Sequence, residues 1–483
     1  MQSTLTSPVL QQNPFLARLR QMPFVSAMDA FFLSPAYFLT LGLLTVLANA
    51  FALEFLTYGI FVLIAVYICL FGQDLLPVMP LVVCCYIVPS RENNPGVKPD
   101  SFFYTPGGSA AIIAMAALVV IALLIRLALD PELGRLSFFK AKRQLLPGIL
   151  ALGGAYLLAG AGSGHYFDHG TGNIVFAAVQ FLAIGLMYCI FTATVRWNKA
   201  PEDYFGRIGL MVGFILLAEV AIMYVLGDPF AKGKLDRNTL YTGWGNYNCM
   251  GGLLTMMIPF PFQMALTKKH GWLYCLVGTA FLGGVILSCS RTSIVIAVFI
   301  YAVSLLYLLL KSEHRKTYLT IILSLFTVLA AYLLIFQFDL VVSYLKIFTI
   351  VRSIFSRTDG FVAGIQQFLD YPILGGGFYP VEYPLEEWSK VETFTSFFPG
   401  LWHNTIIQML ASCGIVGLAA YSFHRIQTIN LIRRKHTVAN MCIAFSGAAM
   451  LLMSLFDCHI FNIGPALFYS MSMAFAEKYE AQE

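Results

Sequence analysis

A few residues in this chain are of types, and at spacings, that could do chemistry. Arg291 stands in SCSRTS, a single cation among small hydroxyl residues inside an otherwise apolar stretch from Leu273 to Leu310. A guanidinium forks two hydrogen bonds onto phosphate oxygens and keeps its charge, so an anionic substrate is one reading; snorkelling to lipid headgroups is the other. Arg352 and Arg357 lie in VRSIFSRTDGFVAGIQQFLDYPILGGGFYP, a helix-like stretch ending in Gly375, Gly376 and Gly377. Those glycines allow a backbone to come close to a ligand, or form a tight turn. His403 and Asn404 open LWHNTIIQMLASCGIVGL, where an imidazole at a helix mouth is placed either to act as a base or to hold a structural hydrogen bond. Gly414 and Gly417 lie deeper in the same run, spaced for close helix packing.

Other polar residues are accessory candidates. Glu219 sits in GLMVGFILLAEVAIMYVLG about seven residues, or roughly 10 Å, from the outer end of its helix, where it could orient a substrate, pair with Arg291 or lie protonated in the bundle. Asn246 and Asn248 mark another helix mouth. His165, Asp168 and His169 fit no standard metal spacing and read as loop residues, as do Asp457 and His459 near a further outer helix end.

The elements that must position these groups are membrane helices. With 58% hydrophobic and 11% charged residues and a mean hydropathy of +0.75, the 483-residue chain departs from soluble-domain composition. Apolar runs long enough to span a bilayer recur from about residue 36 to 476, which predicts an all-α polytopic protein of 12 to 14 transmembrane helices. The third span carries Pro77 and Pro80 and is short, and the last is short too, so either could be re-entrant. Residues 1–34 read as a retained cytoplasmic tail, not a signal peptide. With that tail inside, roughly two-thirds of the 30 basic residues face inward, including Arg135, Arg196, Lys268, Lys311 and Arg425. The expected organisation is then N-terminal helices over 35–245, core helices over 246–337, an extracytoplasmic loop over 338–402 and C-terminal helices over 403–483. The 10 cysteines include no CxxC pair and sit nearly all in apolar runs, as core residues do. Nothing in the charge distribution supports nucleic-acid binding.

Taken in chain order, GNYNCMGGLL entering a helix, SRT between helices, SRTDGF followed by DYPILGGGF in a long outer loop, and HN-x9-GxxG opening the next helix resemble the O-antigen ligase and O-antigen polymerase superfamily. The resemblance covers roughly 240–425, and the histidine motif fits at every fixed position. It implies a GT-C-like fold in the bacterial plasma (inner) membrane, with the active site facing outside. It further implies transfer of a glycan from an undecaprenyl pyrophosphate carrier to a lipid-, glycan- or protein-linked hydroxyl, with no cofactor, nucleotide sugar or required metal. Carried over residue by residue, His403 is the catalytic histidine and Arg291 and Arg357 handle the pyrophosphate, while Arg352 has no clear counterpart. Phe361 stands where the family commonly has a tryptophan, and Gly376 replaces a branched residue, which bears on sugar and acceptor contacts.

Within that reading, fixed cations would stabilise the departing pyrophosphate, and His403 beside them would be held neutral to take the acceptor proton. No carboxylate stands out as a nucleophile, so inversion at the anomeric carbon is expected. Two alternatives remain: a polymerase of lipid-linked repeat units for O-antigen, capsule or exopolysaccharide, and, from another class, a polysaccharide or lipid-linked glycan flippase. A transporter would be expected to show repeated halves around a midplane site, whereas here the arginines and histidine gather at one face.

Overall fold

The computed structural model describes residues 18–51, 53–87, 106–129, 143–164, 166, 172–197, 200–226, 247–348, 352–378 and 402–479. Among the described residues every regular element is helical: α1 Pro23–Leu33, α2 Pro35–Phe51, α3 Glu54–Phe71, α4 Val78–Ile87, α5 Pro106–Leu129, α6 Leu146–Leu157, α7 Gly172–Phe181, α8 Met187–Thr194, α9 Tyr204–Leu226, α10 Tyr247–Met257, α11 Pro259–Thr267, α12 Gly271–Leu287, α13 Arg291–Lys311, α14 Arg315–Phe336, α15 Phe338–Phe348, α16 Arg352–Asp370, α17 Thr405–Arg434, α18 Val438–Met453 and α19 Ile463–Lys478. A π-helical turn, Leu182–Leu186, joins α7 to α8, and a 3-10 turn, His459–Phe461, precedes α19. In hydrocarbon every backbone polar group must be met internally, which is why so apolar a chain becomes helical throughout.

Among the described residues, eight spans are long and apolar enough to cross a membrane, and α1 with α2, bent by 72° between them, makes a ninth if that bent pair is one span. Four shorter apolar helices, α4, α6, α12 and α18, add to these. The chain is therefore an all-α polytopic membrane protein. The short third span takes the form of α4, only 10 residues long. Proline ends explain several breaks, as at Pro35 and Pro259, where the ring removes a backbone donor and sets φ for a first helical turn.

The α10–α11 span is almost wholly buried, whereas α5 and α14 expose most of their surface, as helices at a lipid-facing perimeter do. α10 packs against α13 and α18, α17 against α6 and α16, and α9 against α2. One expectation changes here. α17 runs on to Arg434, so Arg425 belongs to its buried inner half rather than to a loop, with its guanidinium over the rings of Tyr421 (4.8 Å) and Tyr469 (5.0 Å). Within 338–402, α16 forms the helix expected around Arg352 and Arg357, and α15 adds a second.

Candidate active site

His403 precedes α17 and carries a left-handed backbone, φ 55°, which a residue with a β-carbon adopts only when its surroundings fix it. They do. Asn404 caps α17, its Oδ1 accepting from the N–H groups of Ile406 (2.9 Å) and Ile407 (3.1 Å), while its Nδ2 donates to the carbonyl of Leu455 (2.9 Å). The Thr405 N–H donates to the carbonyl of Ser454 (2.8 Å). On the other side, the Trp402 N–H donates to Gln408 Oε1 (2.8 Å), and Gln408 Nε2 donates to Ser412 (2.8 Å). The histidine motif is thus a helix start bonded to the link that follows α18.

That link brings Asp457 to the histidine. His403 Nδ1 stands 3.4 Å from Asp457 Oδ1, with the imidazole side chain 45% exposed and the carboxylate side chain 13% exposed. Burial opposes ionisation of Asp457. The hydrogen bond from His403, the neighbouring charges of His459 and His403, and the Cys458 N–H (2.8 Å) outweigh it and hold the carboxyl well below the usual range. An ionised partner at Nδ1 selects the tautomer with the proton on that nitrogen and leaves the lone pair on Nε2. A half-exposed histidine so oriented can accept a proton from a bound hydroxyl.

The glycine-rich segment packs against this helix. α17 breaks at Gly414, whose φ 63° and ψ −159° fall in a region essentially confined to glycine. The N–H groups beyond the break, of Ile415 and Val416, donate to the carbonyls of Pro372 (2.9 Å) and Ile373 (3.3 Å). In return, the N–H groups of Gly376 and Gly377 donate to the carbonyls of Ala411 (2.8 Å) and Ser412 (3.1 Å). Gln367 of α16 closes the arrangement, its Nε2 donating to Ala411 (2.9 Å) and Gly377 (3.1 Å) carbonyls. Gly375 has φ 71°, and a β-carbon there would lie 2.2 Å from the Ser412 carbonyl carbon. The close approach expected of Gly375–Gly377 is therefore made to the backbone of α17.

Arg291 opens α13 at the same end of the bundle and is partly exposed. Ser290 caps the helix and donates to Asn248 Oδ1 (2.8 Å) at the start of α10, where Cys249 meets Asn462 (3.6 Å) of the Asp457 link. His459 of that link is buried against Gly252, where a β-carbon would come within 2.5 Å of its ring. Cys289, φ 60°, precedes the cap, and Tyr224 pins the turn by donating to the Leu287 carbonyl (2.8 Å) and bonding Tyr344 of α15. Through α10, the arginine turn and the His403–Asp457 pair share one face. A partly exposed cation and an oriented imidazole on one face suit a substrate that joins an anion to a site of proton transfer.

Of the remaining candidates, only Glu219 has a described side chain. Arg352 and Arg357 occupy the first two turns of α16, which packs along α17, but their side chains lie outside the described residues. So do Asn246, His165, Asp168 and His169. Glu219 is buried in α9 and accepts from Asn49 Nδ2 (2.8 Å) of α2, which ties it to the N-terminal helices. Asp457, which reading the sequence assigns to loop chemistry, is the residue the structure brings to His403; it is 54 residues away in the chain, and only its place beside a helix end set it apart.

Residues 251–422 match the family described as O-Antigen ligase. The matched stretch holds Arg291, α16, the glycine segment and His403, and ends before Asp457. No curated protein matches the chain.

Proposed function

With an O-antigen ligase family segment at residues 251–422 in a polytopic membrane protein, a membrane ligase or polymerase of glycan biosynthesis is supported, and we propose the finer reading that it moves a glycan from undecaprenyl pyrophosphate to an acceptor hydroxyl at the outer face of the plasma membrane. The observation that carries this is the His403–Asp457 pair on the face that also bears Arg291.

The acceptor oxygen attacks the anomeric carbon as the bond from that carbon to the pyrophosphate oxygen breaks. His403 Nε2 takes the hydroxyl proton, and Asp457 steadies the imidazolium that results. The undecaprenyl pyrophosphate leaves with one more negative charge, which Arg291, with Arg357 and Arg352 of α16, neutralises as it develops. One displacement inverts the anomeric centre. Asn404 and Asn248 hold the helix starts that carry the two groups, and are positioning residues.

The test is the mass profile of undecaprenyl-linked glycans in cells lacking the gene, restored with wild type or with His403→Ala checked for monodispersity in detergent. Finished chains retained on the carrier, cleared by wild type and not by His403→Ala, are expected. Accumulation of a single repeat unit would reassign the protein as a polymerase. An unchanged profile, or full clearance by His403→Ala, would overturn the reading.

A further inference from the structure

At the opposite end of the bundle from His403 lies a site that glycan transfer does not use. The α10–α11 span starts at Tyr247, beside Asn248 on the catalytic face, and runs 21 residues to Thr267, about 30 Å, so Lys268 just beyond it reaches the other face. There Asp203 receives both Lys268 (2.5 Å) and a bidentate Arg207 (2.9 and 3.0 Å). Above this cluster a cavity of about 760 Å³ opens between α2 and α9, a volume in the range that holds small ligands. Its walls are apolar apart from those three residues and Tyr274, and its rim carries Leu39, Leu43 and Phe214, 65%, 53% and 48% exposed, so it opens sideways into the hydrocarbon.

We propose that this groove binds an anionic phospholipid of the leaflet opposite the catalytic face, one acyl chain lying along α2 and α9 and the phosphate meeting Lys268 and Arg207. Length argues for a phospholipid. From Arg207 to Ala218, the deepest lining residue of α9, is 11 residues, about 16 Å, or roughly the depth of one leaflet of a 30 Å core. A polyprenyl chain would outrun it. Charge argues for an anion. Burial disfavours the Asp203 carboxylate, yet the hydrogen bonds and charges of Lys268 and Arg207 hold it ionised, so it cancels one of the two. Lys268 is 38% exposed with exposed Lys269 beside it. Two cations thus meet one carboxylate within the cluster, and a phosphate would take up the surplus.

Gly42 gives a steric handle, because a β-carbon there meets only ordinary contacts, Met211 at 3.7 Å and Ile215 at 3.9 Å, and a larger side chain would fill the groove. The experiment is native mass spectrometry of the purified full chain with an equimolar mixture of phosphatidylglycerol, phosphatidylcholine and undecaprenyl phosphate. Wild type should retain phosphatidylglycerol severalfold over phosphatidylcholine. Lys268→Gln should lose that preference, and Gly42→Leu, monodisperse by size exclusion, should lose the tightly held adduct altogether. Equal retention of the two lipids by wild type, retention of undecaprenyl phosphate in their place, or an unaltered adduct pattern in Gly42→Leu would each overturn the proposal. His403→Ala should leave the adduct pattern untouched, so this outcome is independent of the transferase reading.

Discussion

Replacing Gly414 with alanine should damage the catalytic end of the bundle without touching a charged group. At φ 63° and ψ −159° a residue with a β-carbon pays about 1–3 kcal/mol in backbone strain alone. The new methyl would lie 2.2 Å from the Ile373 carbonyl oxygen and 2.7 Å from that of Pro372, so the 372–377 segment must retreat by the better part of an ångström. That retreat breaks the bonds from Ile415 and Val416, at about 1 kcal/mol each, for a total of roughly 3–5 kcal/mol. The assay is the apparent melting temperature in detergent, paired with glycan transfer. Gly283→Ala is the control: Gly283 lies within α12, and a β-carbon there meets nothing within 4 Å. Gly414→Ala should melt well below wild type and lose most transfer, while Gly283→Ala keeps both. If the two variants behaved alike, the argument that the glycine segment exists to complete α17 would be wrong.

Asp457→Asn should keep the fold and lower kcat by on the order of 10²–10⁴, because the amide no longer selects the tautomer that exposes the Nε2 lone pair; kinetics within tenfold of wild type would remove Asp457 from the mechanism. Because the Asp457 carboxyl is depressed, its contribution to stability is present above the ordinary carboxylate range and fades as pH falls through the folded value. Melting temperatures should therefore drop more steeply for wild type than for Asp457→Asn on acidification below about pH 4, and parallel curves would contradict the pairing. Arg291→Lys and Arg357→Lys should each lose most activity, since an ammonium cannot fork onto phosphate; full activity in both would argue against pyrophosphate capture. Lys390→Cys in a cysteine-free background should react with an impermeant thiol reagent from outside, and labelling only after lysis would invert the topology.

Much of the catalytic end was legible in the chain because its parts are local. His403, Asn404 and Gly414 lie within one motif, and a capping asparagine followed by an apolar run reads as a helix start without any tertiary knowledge. Arg291 stood out for the same reason, a lone cation in an apolar stretch. Asp457 did not, since its partner is 54 residues away and only the packing of α17 on the link after α18 joins them. The glycines of 375–377 signalled a close approach, but its partner on α17 was not legible, because the lack of a β-carbon announces an approach and not to what. Arg425 was misplaced because the apolar signal fades near Tyr421, whereas helix geometry continues wherever stacking on tyrosine rings covers the charge.

Two buried aromatics stand at either side of residues 379–401. Phe378 is packed edge-on against Tyr156 and tilted over Phe176, with ring centroids 5.6 and 4.6 Å apart, and Trp402 rests on Gly364 of α16. Both anchors attach to α17 or its neighbours. Truncating Phe378 or Trp402 to alanine would leave a cavity in this patch, at the roughly 3–5 kcal/mol typical of a fully buried aromatic, and would loosen the backbone that leads into His403.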